Sequence, residues 1–141
     1  MWVNGARLAD PTPGQYLKLD RVWSNDDSVR VEFDFSPRLV LGREQARGKA
    51  AVYLGPLLLA IDERFNPGID MNALPGLPSS GLSVERAQAG AGHKKPWVLV
   101  RAKTNSGGSV LLCDFASAGT DNAHYAAWLP IEKPGKGKSK N

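Results

Sequence analysis

Hydrophobic and polar residues alternate along much of this chain with a period of two, the signature of strands with one dry and one wet face. Residues 28–35 are the clearest case: Val29, Val31, Phe33 and Phe35 fall on one side and Arg30, Glu32 and Asp34 on the other. Residues 16–23 read the same way, with Leu17, Leu19 and Trp23 facing inward. The connector Ser24-Asn25-Asp26-Asp27 has turn chemistry, because Asn and Asp side chains bond nearby backbone. These two segments are expected to form a hairpin.

Pro37 closes the first pair, and a short strand is expected over 38–41. The apolar run 50–61 contains Gly55-Pro56, which is expected to bulge or kink it into two strand pieces. Residues 62–96 are rich in Pro, Gly, Ser and Ala and predict a long loop with short strand pieces near 82–87. Residues 97–103 and 109–115 flank the turn Asn105-Ser106-Gly107-Gly108 and predict a second hairpin. Tyr125, Ala127, Leu129 and Ile131 alternate on a closing strand. Short strands between Gly- and Pro-rich turns, without helical periodicity, predict an all-β, antiparallel β-sandwich or jelly-roll-like domain over residues 1–132.

Charge alters the picture only at one end. The net charge is +4, but residues 133–141 (KPGKGKSKN) hold four lysines and no acid. The remainder balances basic against acidic residues, so the basic pI belongs to a tail expected to be flexible. A balanced body argues against nucleic acid as a partner, since phosphate binding needs a basic patch on the folded part. No apolar stretch reaches membrane-spanning length. The first residues, Met1-Trp2-Val3-Asn4-Gly5, do not show the basic-then-apolar order of a signal peptide. They read as the end of a strand and a turn, so a fragment of a longer chain is expected.

The one cysteine, Cys113, lies in the apolar run Val110-Leu111-Leu112-Cys113 and is expected to be a buried small hydrophobe. The two histidines, His93 and His124, are far apart and suggest no zinc site; no metal and no cofactor are expected. Glycoside hydrolysis commonly needs two carboxylates flanking one bond. Asp20, Glu32, Asp34, Asp62, Glu63 and Asp114 are candidates by type, and Glu32 with Asp34 would share a strand face. A wet strand face carries such residues in any case, so no catalytic residue is assigned. Asp26-Asp27, or Asp114 with Asp121-Asn122, offer oxygen ligands for calcium but fit turn chemistry better. Indole faces that can stack on sugar rings are the remaining functional class, and Trp2, Trp97 and Trp128 are the candidate carbohydrate contacts.

Several strings, taken in order, resemble the β-rich region of glycoside hydrolase family 127, which includes β-L-arabinofuranosidases. They are Val3-Asn4-Gly5, Gly14-Gln15-Tyr16, Asp20-Arg21-Val22-Trp23, and Asn25-Asp26-Asp27-Ser28-Val29-Arg30-Val31. Ala51-Val52-Tyr53-Leu54-Gly55-Pro56-Leu57-Leu58 follows, then Asp114-Phe115-Ala116-Ser117-Ala118-Gly119-Thr120 and Tyr125-Ala126-Ala127-Trp128-Leu129-Pro130. Within those strings, Asn4-Gly5 is a hairpin-type turn, and Arg21 beside Trp23 suggests a buried or cation-stacked guanidinium.

The resemblance implies a non-catalytic accessory β-sandwich that packs against and stabilises a catalytic (α/α)6 barrel, where the family keeps its cysteine nucleophile and metal-associated cluster. No such barrel is encoded here, and that role is not transferred to Cys113. A strand is expected to be missing before Trp2, and the unpaired sheet edge it would leave predicts self-association. The alternative is a carbohydrate-binding module for plant-type polysaccharide acting through Trp2, Trp97 or Trp128.

Overall fold

The computed structural model describes residues 1–92 and 94–132, so the basic tail 133–141 and His93 lie outside the described residues. The contacts divide the chain into two compact units, Met1–Asp34 and Phe35–Asn141. Each is all-β, joined by turns and, in the second unit, short 3₁₀ segments.

The first unit holds three two-residue strands, β1 (Trp2–Val3), β2 (Ala6–Arg7) and β3 (Val29–Arg30), in the order β2-β1-β3. Asn4 and Gly5 take φ of 49° and 78°, as a two-residue type I′ turn requires, and pair Val3 with Ala6. Asp27 ties the unit together. Its Oδ1 accepts from Asn4 Nδ2 at 2.6 Å and Arg21 Nη2 at 3.3 Å, and its Oδ2 accepts from the Ser24 N–H at 2.9 Å. The hydrogen bond from Asn4, supported by those from Ser24 and the charge of Arg21, holds the Asp27 carboxyl below its ordinary range.

Two strand expectations fail in this unit. Residues 16–23 form no strand, and Trp23 is half-exposed under the Arg21 guanidinium, 4.9 Å from the ring centre, instead of buried. The run 28–35 pairs only at Val29 and Arg30, leaving Val29, Val31 and Phe33 exposed. Period two specifies which side chains share a face; burying that face takes a second layer. Val3 is the one buried hydrophobe of this unit among the described residues.

The second unit contains β4 (Pro37–Leu41), β5 (Lys49–Leu54), β6 (Leu57–Asp62), β7 (Leu77–Pro78), β8 (Val84–Arg86), β9 (Leu99–Lys103), β10 (Ser109–Asp114), β11 (Tyr125–Ala126) and β12 (Trp128–Glu132). Gly55-Pro56 makes a hairpin turn, where a bulge or kink was expected. Gly55 has φ 57° and the proline ring fixes a negative φ, the sign pattern of a type II′ turn, so Leu54 pairs with Leu57.

The hairpin then splays. On one edge of β5, β6 pairs at Val52 to Leu54 and β12 at Lys49 to Ala51, while β4 fills the other edge. Likewise β6 gives one edge to β5 and then β11, and the other to β10. Residues 125–132 therefore pass between the two strands of the hairpin. The sheet forks into an arm β4-β5-β12-β7 and an arm β11-β6-β10-β9-β8, and the pairing is antiparallel except between β7 and β12.

The arms share one core. Val52, Leu77 and Leu129 come from the first arm, and Leu59, Ile61, Val100 and Leu112 from the second. A smaller cluster of Phe65, Leu99 and Cys113 covers the opposite face of β9 and β10. Dry surroundings on both faces explain why 110–113 is apolar without alternation.

Candidate functional site

Strand ends set the polar groups of the second unit. Asp62 closes β6 and caps the 3₁₀ turn 63–65, accepting from the Arg64 N–H at 2.9 Å. Its carboxylate also accepts from Arg64 Nε at 3.0 Å, Arg64 Nη2 at 2.9 Å and the Gly119 N–H at 2.8 Å. Burial pushes this carboxyl up, but the bonds from Arg64 and Gly119 outweigh it and hold the group below the ordinary range. Asn66 extends the network, donating to the carbonyls of Asp62 and Leu111 and accepting from the Leu111 N–H. Asp114 repeats the device at the end of β10, accepting from the N–H groups of Val98 and Ser117.

The candidate carboxylates thus have structural partners. Glu63 accepts from the His124 N–H at 2.8 Å and lies 3.1 Å from the His124 ring, contacts that lower its pKa. Glu32 pairs with Arg30 at 2.9 Å on the surface. Cys113 is fully buried, and burial together with the charges of Asp62 and Asp114 pushes its thiol up to about 12. A thiol held protonated at neutral pH is a poor nucleophile. Among the described residues, no group of three or more His, Cys, Asp or Glu side chains is placed to hold a metal ion.

Of the three tryptophans, Trp2 belongs to the first unit and Trp97 and Trp128 to the second. Trp2 lies beneath the Arg30 guanidinium, 4.3 Å from the ring centre, so one indole face is taken. Trp128 is 42% exposed on the outer face of β12, opposite Ala51, while Leu129 turns into the core. Trp97 precedes β9 and is 93% exposed. Strands β5, β6 and β10 intervene between β12 and β9 in pairing order, so Trp97 and Trp128 belong to different places on the sheet.

Trp97 lines a cleft of about 620 Å³. Leu54, Val84 and Val98 give this cleft apolar walls, and Arg86, Gln88 and Lys95 add polar groups. Neither Asp nor Glu lines it. An exposed indole beside apolar walls and a few donors can receive a ring with hydroxyl or anionic substituents. Sequence reasoning found Trp97 and missed Arg86, Gln88 and Lys95, which lie at the end of β8 and in the irregular segment that follows.

No protein family's sequence pattern matches this chain, and no curated protein matches it. Among solved structures, the chain superimposes on part of the GH127 β-arabinofuranosidase BT3674 with a TM-score of 0.66 and 20% identity. The match takes in 92% of this chain and 22% of that one. The chain thus spans about a fifth of that enzyme's length and shares the all-β fold of the part it matches.

Proposed function

We propose that this chain is a non-catalytic accessory β-sandwich of a GH127-like glycoside hydrolase, packing against and stabilising a catalytic barrel. The observation that carries this reading is the lopsided structural match, 92% of this chain on 22% of a GH127 β-arabinofuranosidase. The partners found for Asp62, Glu63 and Asp114 support it, because a carboxylate committed to capping and ion pairing is not poised for acid–base work. The test is a pair of measurements. The purified chain is assayed on an arabinofuranoside chromogenic substrate, with no turnover expected. A barrel-bearing protein is then melted with and without this domain, and a lower melting temperature is expected on deletion. Turnover by the chain alone, or an unchanged melting temperature, overturns the reading.

A second reading rests on the cleft beside Trp97: a carbohydrate-binding module. Titration with plant-type arabino-oligosaccharides, followed by indole fluorescence, tests it. Saturable quenching that Trp97→Ala abolishes supports a module, and no response at millimolar sugar rejects it.

A further inference from the structure

The first unit carries a self-complementary edge. In the order β2-β1-β3, β3 has β1 on one side and, among the described residues, no strand on the other. The direction of its backbone groups is fixed. The Ser28 carbonyl accepts from the Asn4 N–H at 3.0 Å, and the Ser28 N–H donates to Asn4 Oδ1 at 2.8 Å. Ser28 therefore turns both polar groups inward. In an antiparallel ladder this direction alternates, so Arg30 also points toward β1 while Val29 points outward, and the same alternation carried one residue past the end of β3 turns Val31 outward. Their side chains, with Phe33, form an exposed apolar row: 49% for Val29, 51% for Val31 and 64% for Phe33. A row of outward amides beside exposed apolar side chains is a template for strand addition.

We propose that residues 29–33, which extend β3 three residues beyond Arg30, pair antiparallel with the same residues of a second copy of this chain, about a twofold axis through Val31, to make a continuous six-stranded sheet. The register follows from three constraints. A one-residue slip would set the apolar row of one copy beside the charged row of the other. Centring on Arg30 would oppose Arg30 to Arg30, and centring on Glu32 would oppose Glu32 to Glu32, both destabilising. Centring on Val31 puts Val31 against Val31, Val29 against Phe33 and Arg30 against Glu32, each unlike pair occurring twice by symmetry. The outward groups of Val29 and Val31 then fall in the hydrogen-bonded pairs. Glu32 already reaches Arg30 of its own chain at 2.9 Å, so the two side chains are on one face and within range. The interface is isologous and closes at two copies. This inference does not depend on the accessory role proposed above.

The test is mass in solution, by sedimentation equilibrium of the 141-residue chain into the high micromolar range. Twice the 15.2 kDa chain mass is expected at the upper end. Glu32→Arg and Arg30→Glu, each alone, place like charges opposite one another and are expected to stay monomeric. Mixed in equal amounts they present Arg to Glu at both positions, so a heterodimer is expected, which misfolded variants could not form. Val31→Pro removes an outward N–H, leaves the β1 ladder intact and is also expected to be monomeric. A monomeric parent chain at all concentrations, including one whose edge takes a strand from a longer protein instead, overturns the proposal. So does a Glu32→Arg variant that dimerises like the parent.

Discussion

The two units of this chain spend the same kind of pattern on opposite ends. In Phe35–Asn141, alternating rows from two sheet arms meet, and Val52, Leu59, Ile61, Leu112 and Leu129 are removed from water. In Met1–Asp34, an equally regular row is left in solvent, and order rests on turns, on Asp27 and on guanidiniums stacked over Trp2 and Trp23. Burial of a Leu or Val side chain is worth about 1.5–3 kcal/mol, whereas an exposed cation–aromatic pair gives about 0.5–1 kcal/mol. The second unit should therefore set the main unfolding transition, and the first should open at lower cost.

The comparison breaks most severely where the second unit's core or its buried ion pair is cut. Leu112→Ala empties a fully buried position between the arms and is expected to cost about 2–5 kcal/mol in denaturant unfolding. Arg64→Met leaves Asp62 a buried carboxylate without its cation, held only by the backbone N–H groups of residue 64 and Gly119, with an expected loss of about 3–5 kcal/mol on the same measurement.

Asp62 adds a pH signature. Its carboxyl titrates lower in the folded chain than in the unfolded one, so its contribution is complete above the ordinary carboxylate range and is lost as pH falls through the depressed folded value. Asp62→Asn should flatten the acid limb of a stability–pH curve, and an unchanged limb would count against the ion pair. Asp27→Ala tests the first unit separately. Faster proteolysis of residues 1–34, with the main transition unmoved, is expected. At the small end, Trp97→Ala should change stability by no more than about 0.5 kcal/mol, because so exposed an indole has little packing to lose.

The sequence was most informative where both partners of an interaction lie close along the chain. Asn4-Gly5 and the Asn105–Gly108 loop declare themselves as turns; the second joins the two strands expected of it, and the first pairs β1 with a strand, β2, that was not expected. Cys113 is buried in its apolar run as expected, and Arg21 stacks on Trp23. The row 28–35 shows the limit: alternation identifies a face, but nothing in a local pattern says whether a second layer exists to cover it. Gly55-Pro56 was ambiguous because a bend and a reversal use the same residues, and only the Leu54–Leu57 pairing separates them. The segment Asp62-Glu63-Arg64-Phe65-Asn66 carries an aspartate at a strand end, a cap signal legible in retrospect, but its bonds to Gly119 and Leu111 span 57 and 45 residues. The polar side of the Trp97 cleft was hidden for a similar reason, since Arg86, Gln88 and Lys95 have no periodic neighbours to mark them.

The fork in the second unit also dictates an order of assembly. The β5–β6 hairpin can close as soon as its own residues exist, because its partners are adjacent in sequence. The gap between its splayed strands is filled only by residues 125–132, which must return across roughly seventy residues of intervening chain, a closure that slows folding far more than it weakens the product. Until that return, Lys49 to Ala51 and Ile61 to Asp62 have open edges facing one another. During synthesis the nascent domain therefore holds a half-zipped hairpin that is complete only when β11 and β12 arrive, and that waiting interval is when it is most exposed to pairing with the wrong chain.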